Sequence, residues 1–141
     1  FGRHVCNLEN ANSAEIDSKT KFPIIDLLPE QKDVNDMGGS LRLGANEIKI
    51  KIDSLAFKIY NSDLISKRHR HRYEFNKDFL DDFKKNGMIF SGQSDGGKRM
   101  EILEIPSHKF FLGVQYHPEF SSRPGFPEEA FGAFVSASAQ N

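Results

Sequence analysis

Ile48, Ile50 and Ile52 alternate with Glu47, Lys49 and Lys51, and a repeat of two puts every apolar side chain on one face of a half-buried strand. A different pattern fills Phe110-Phe111-Leu112-Gly113-Val114-Gln115-Tyr116, where almost every position is apolar. Such a run predicts a strand covered on both faces, inside a mixed or parallel sheet. Phe79, Leu80 and Phe83 keep helical spacing, with Asn76 available as a cap and Gly87 as a left-handed stop. Between these anchors, Phe22–Leu28 reads as a strand, 29–36 as a polar connection, and Met37-Gly38-Gly39-Ser40 as a turn into a short strand over 41–44. Asp53 is predicted to cap a short helix ending at Tyr60. Met88–Ser91 and Lys98–Ile105 flank Ser94-Asp95-Gly96-Gly97, which predicts a hairpin. Pro127 at a first helical position, with Glu128 and Glu129 at the positive end of the dipole, opens a terminal helix over 130–137. At the other end Val5 and Leu8 keep helical spacing, so residues 1–8 read as the last turns of a helix that begins upstream. The polar stretch Glu9–Glu15, rich in residues that bond their own backbone, is expected to be an ordered loop.

Composition narrows the classes. The chain has 141 residues, of which 38% are apolar, enough for one core and one domain. Nineteen basic residues stand against 20 acidic ones, which excludes nucleic acid or an anionic membrane as a partner through overall charge. No apolar run approaches bilayer-spanning length and Phe1-Gly2-Arg3-His4 is no signal peptide, so a cytoplasmic protein is expected. Cys6 is the single cysteine, which rules out an intrachain disulfide and a four-cysteine zinc site. The chain opens mid-pattern without an initiating Met and is expected to be a fragment.

Two segments carry chemistry. His117-Pro118-Glu119 follows the apolar strand, setting an imidazole and a carboxylate two residues apart at a sheet's edge. A carboxylate that accepts from one ring nitrogen fixes the tautomer, and the other nitrogen is left to move a proton for a nucleophile. A bare His-x-Glu is more often a surface turn; its place after an apolar strand is what favours chemistry. Cys6 is a poor nucleophile candidate, because its neighbours lack the glycines of a strained elbow, and packing is its expected role. The second segment, Lys67-Arg68-His69-Arg70-His71-Arg72-Tyr73-Glu74, alternates along a predicted strand, with Arg68, Arg70 and Arg72 on one face and His69 and His71 on the other. Forked guanidinium groups suit an anionic small molecule. A His-x-His metal site lacks a third ligand at comparable spacing, so no metal is assigned; stacking platforms for nucleic acid are absent too. Lys67 and Arg68 are also readable as a solvated basic face.

Glu9-Asn10-Ala11-Asn12-Ser13-Ala14-Glu15, Met37-Gly38-Gly39-Ser40-Leu41-Arg42-Leu43-Gly44, Arg68–Glu74 and Gly113-Val114-Gln115-Tyr116-His117-Pro118-Glu119-Phe120 together resemble the glutamine amidotransferase domain of the CTP synthase family. His-Pro-Glu alone marks only triad-type amidotransferases; the other three segments are more selective. Ser122-Arg123-Pro124 is most similar to eukaryotic members. The resemblance implies a three-layer, flavodoxin-like α/β fold with a mostly parallel central sheet, of which residues 1–141 form the carboxy-terminal part. The nucleophile elbow, Gly-x-Cys-Leu-Gly, and the synthetase domain would then lie outside this chain. It also implies that His117 is the base and Glu119 its orienter. Glu15 and Arg72 would hold the amino and carboxylate ends of glutamine, with Tyr73 lining the pocket. The whole enzyme would pass ammonia to an ATP- and Mg2+-dependent synthetase domain of the same polypeptide, aminate UTP to CTP, respond to GTP as activator, and form a homo-oligomer. This segment itself is expected to bind no cofactor and, without the elbow, to be inactive. Residues 37–44 lie where the family couples effector to glutaminase. Alternatives are the amidotransferase part of another glutamine-dependent ligase, or a non-catalytic regulatory or scaffold module of the same fold.

Overall fold

The computed structural model describes residues 1–27 and 42–140. In chain order these form β1 (Asn12–Ser13), β2 (Pro23–Leu27), β3 (Arg42–Ile50), α1 (Leu55–Tyr60), β4 (Leu64–His71), β5 (Tyr73–Phe75), α2 (Leu80–Lys85), β6 (Ile89–Ser94), β7 (Arg99–Glu104), β8 (Leu112–Val114) and α3 (Glu129–Ala139). The predicted connection over 29–36 and turn over 37–40 lie outside the described residues, as does Leu28, the predicted end of the first strand.

A small sheet takes the order β1-β2-β5 and a larger one the order β4-β3-β6-β7-β8. The mostly parallel sheet expected from the sequence is not what these residues form: β1 with β2 is parallel, and every pairing within the larger sheet is antiparallel. The connections explain this. A parallel neighbour needs a crossover of about a dozen residues, whereas β6 reaches β7 through a single 3₁₀ turn, Asp95–Gly97, as the predicted hairpin required. The apolar run 110–116 likewise yields only a three-residue, half-buried strand, because β7 alone pairs with β8 among the described residues.

Ile48 and Ile50 are buried as the alternation predicts and pack with Ala56, Ile102 and Tyr116. Ile52 lies beyond the end of β3 and is exposed. A second cluster gathers Phe75, Phe83, Met88, Phe90 and Met100. Met100 and Ile102, two residues apart, would share a face in a regular strand. They enter different clusters because the β6–β7 register slips twice, leaving Ser91 and Glu101 without opposite partners. At Gly92 a Cβ would overlap the side chain of Ile102, so the close approach at the slip needs glycine.

Local caps account for the helices. The Asn76 side chain accepts from Asp78 N–H at the start of the turn leading into α2, and Gly87 has φ +91 beyond its end, as predicted. Asp53 does not cap α1; it sits at φ +65, and Ser54 Oγ accepts from Phe57 N–H instead. Glu104 of β7 adds a second cap, taking the N–H groups of Leu55 and Ala56 at 2.9 and 2.8 Å. At α3 the cap is Glu128, accepting from Ala130 N–H, so Pro127 precedes the helix rather than opening it. Residues 1–8 form turns with one helical bond, Val5 N–H to Phe1 C=O at 2.8 Å. No helix among the described residues is long and apolar enough to cross a membrane.

Candidate active site

Beyond β8 the chain continues along β7, Gln115 N–H donating to Glu101 C=O at 2.9 Å, and Tyr116 turns into the core. His117 then emerges, its backbone N–H donating to Arg68 C=O on β4 at 3.0 Å. Pro118 opens a 3₁₀ turn, Pro118–Ser121, that carries Glu119 back towards the imidazole. His117 Nδ1 lies 2.6 Å from Glu119 Oε1, with side chains 37% and 56% exposed. The hydrogen bond from His117 holds the Glu119 carboxyl below its ordinary range. A carboxylate accepts only, so Nδ1 carries a proton and Nε2 is the nitrogen left to move another. The Phe120 ring lies against the imidazole, with centroids 5.4 Å apart.

The support beneath this loop is polar and buried. Tyr116 and Tyr60 hydroxyls are 2.5 Å apart, and Tyr60 donates to Glu128 Oε1 at 2.8 Å. Lys67 Nζ reaches Glu128 at 2.7 Å and Glu129 at 3.2 Å, and lies over the Tyr60 ring. Burial raises the pKa of both tyrosines, so both remain protonated donors. Lys67, readable from sequence as a solvated charge, is therefore a buried ion-pair member; Arg68 and Arg70 are exposed.

Arg72 falls at the junction of β4 and β5, half-buried, and Tyr73 pairs with Leu27. Glu15 is exposed two residues after β1, its N–H bonded to Ser13 Oγ at 3.2 Å. Strands β1, β2 and β5 thus bring Glu15, Arg72 and Tyr73 to one small sheet, and the His117–Arg68 bond joins His117 to the strand that leads into it. A concavity of about 850 Å³, lined in part by Asn46, Lys49, Gln93 and Asp95, includes none of the five predicted site residues. The His117–Glu119 pair is instead an open surface. Cys6 packs at the edge of the second cluster with its Sγ 3.7 Å from Asp82 C=O, and burial followed by the Asp82 charge pushes its pKa up. That environment disfavours a thiolate.

Sequence reasoning missed Glu101. The slip in β7 aims it, fully buried, at Arg42, which bonds it at 2.5 Å, and at Ser94, with His69 Nδ1 3.8 Å from its other oxygen. His69, His71 and Glu101 offer ligand atoms within 4.8 Å of one another, so the third group that sequence spacing does not supply comes from another strand. The available signal was Met100-Glu101-Ile102-Leu103-Glu104, two carboxylates inside an apolar strand, since buried charges require partners.

The family model "Glutamine amidotransferase class-I" matches residues 1–137. A CTP synthase of Staphylococcus epidermidis is 56% identical over 137 residues, covering 97% of this chain and 26% of that protein. A CTP synthase of Archaeoglobus fulgidus is 50% identical with the same coverage. The solved structure "Trypanosoma brucei CTPS - glutaminase domain with bound acivicin" superposes with a TM-score of 0.90 at 36% identity, over 99% of this chain and 55% of that one. The chain therefore spans about a quarter of the length of the curated relatives it matches.

Proposed function

The chain belongs to the class-I glutamine amidotransferase family, and from that premise we propose that it is the carboxy-terminal part of the glutaminase domain of a CTP synthase, supplying the base of glutamine hydrolysis. The observation that carries this reading is the 2.6 Å contact of His117 Nδ1 with Glu119 Oε1, which leaves Nε2 as a proton acceptor. A cysteine of a Gly-x-Cys-Leu-Gly elbow outside this chain attacks the glutamine carboxamide carbon, and His117 Nε2 takes the thiol proton. His117 then returns that proton to the departing nitrogen, releasing ammonia and leaving a thioester. Water attacks the thioester, its proton passing to Nε2 and on to the leaving thiolate, and glutamate departs. Arg72 holds the substrate carboxylate, Glu15 its ammonium, and Tyr73 lines the pocket.

The ammonia would pass to a synthetase domain of the same polypeptide and aminate UTP to CTP, with ATP and Mg2+ used there and GTP as activator, in a cytoplasmic homo-oligomer. No residue of this chain is assigned to those nucleotides or to Mg2+. The relatives' names support the acceptor, and the open surface at His117 is consistent with a covering segment from the rest of the protein. The test compares glutamine-dependent with ammonia-dependent CTP formation in the full-length protein. His117→Ala should abolish the first and preserve the second; equal loss of both would overturn the assignment.

A further inference from the structure

His69 and His71, at the end of β4 just before Arg72, converge with Glu101 of β7, yet the proposed glutamine hydrolysis uses none of them. Their proximity suggests a metal first, and the hydrogen bonds argue against it. A carbonyl only accepts, so His71 Nδ1, 2.9 Å from Tyr73 C=O, must carry a proton, and Nε2 of the neutral ring is then an acceptor. His69 Nδ1, 3.0 Å from that Nε2, is the donor. Burial lowers the pKa of both imidazoles and keeps them neutral. One Glu101 oxygen is occupied by Arg42 and Ser94, and the Arg42 guanidinium already neutralises the carboxylate and would repel a dication. What remains is a one-directional chain of hydrogen bonds, His69 to His71 to the carbonyl of Tyr73.

This chain spans Arg72. His71 is the last residue of β4 and Tyr73 the first of β5, so the bond from ring to carbonyl closes over Arg72 as the backbone passes from the larger sheet to the smaller. We propose that His71, oriented by His69, is a positioning residue for glutamine binding, fixing the backbone on both sides of Arg72 so that its guanidinium meets the substrate carboxylate. The inference rests on the reading of Arg72 as the carboxylate-binding residue. It differs from a purely structural role because loosening one turn of backbone should affect substrate capture and leave the His117 chemistry intact.

The experiment measures glutamine-dependent and ammonia-dependent CTP formation in the full-length protein carrying His71→Leu, His71→Asn or His69→Phe. His71→Leu should raise the glutamine KM about tenfold, with kcat nearly unchanged and the ammonia-dependent rate intact. His71→Asn, whose amide can donate to the same carbonyl, should recover most of the loss, and His69→Phe should fall between. A wild-type KM in His71→Leu, or equal damage in Leu and Asn, overturns the proposal. Should His71→Leu fail to fold, long-range 1H–15N spectra of the wild-type protein decide: both rings must be neutral with the proton on Nδ1 at pH 7. An Nε2 proton on either ring, or stoichiometric Zn2+ binding that perturbs both, overturns it. A wild-type protein that uses ammonia and not glutamine would instead refute the glutaminase reading, and the spectra would still test the hydrogen-bonded chain.

Discussion

The backbone N–H of His117 donates to the carbonyl of Arg68 at 3.0 Å. This bond indexes the loop that bears the imidazole to the strand that leads into Arg72. Arg72 lies four positions beyond Arg68, roughly 13 Å of extended chain, so β4 acts as a ruler between the proposed proton acceptor and the proposed substrate anchor. Beneath it Tyr116 is held by Tyr60, and Tyr60 by Glu128.

Glu119→Gln keeps the shape of the proposed orienter but lets its amide donate to His117 Nδ1, favouring the wrong tautomer. Glutaminase turnover should fall by roughly a thousandfold or more, and His117→Ala combined with it should be hardly worse than either alone. Multiplicative losses in steady-state assays would show that the two residues do not act as a unit.

Arg72→Lys keeps the charge and loses the planar fork, so the glutamine KM should rise while ammonia-dependent synthesis survives. Glu15→Gln, which removes the charge proposed to meet the substrate ammonium, should behave alike. Parallel assays with the two nitrogen donors check this, and equal loss with both would make these residues structural.

Lys67→Met leaves Glu128 buried without its cation. The expected cost is about 3–5 kcal/mol, whereas Tyr60→Phe, which removes one hydroxyl, should cost about 1–2 kcal/mol. Urea denaturation of the two variants gives both values, and a Lys67→Met midpoint equal to wild type would mean that the pair adds nothing.

The pH dependence of stability follows from His69, which faces Glu101, Arg42, His71 and His117. Burial, the largest influence, lowers its pKa from the ordinary 6.5 to about 4, against the opposing pull of Glu101. The unfolded chain therefore takes up a proton that the folded one refuses, and stability is full above about pH 6.5 and declines as pH falls towards 4. Denaturation midpoints measured across that window should drop, and His69→Gln should flatten the slope; a profile independent of pH between these values would contradict the neutral buried ring.

Cys6 should remain unmodified by an electrophilic glutamine analogue, with the full-length protein labelled once, at the elbow cysteine. Its raised pKa and its contact with Asp82 C=O keep the thiol protonated. Intact-mass spectrometry with peptide mapping reads the outcome, and Cys6→Ser should leave activity unchanged. Glutamine-protected labelling of Cys6 would relocate the nucleophile.

Features whose cause is local are legible in the order of the residues alone. The alternation predicts the buried face of β3 at Ile48 and Ile50 but not the exposure of Ile52 beyond it, the Asn76 cap and Gly87 bound the α2 region, and Ser94–Gly97 announces the β6–β7 hairpin. Errors also have local causes: Asp53 and Ser54 are both good capping residues, and only the left-handed backbone at Asp53 selects Ser54. The expectation of a parallel sheet rests on family likeness and an apolar run, neither of which specifies a strand's neighbours.

What the sequence by itself determined is thus what neighbouring residues impose on one another: periodicity, caps, turns, and the two-residue reach from His117 to Glu119. The tertiary structure alone decided which distant groups share a burial site. Arg42 meets Glu101 across 59 positions, and Lys67 meets Glu129 across 62. Whether Lys67 is a solvated charge or an anchored one, and whether the third group beside His69 and His71 exists at all, depends on strand order and on a one-residue slip in β7. Those are set by packing of the whole core, because a buried charge is tolerated only where folding delivers its partner.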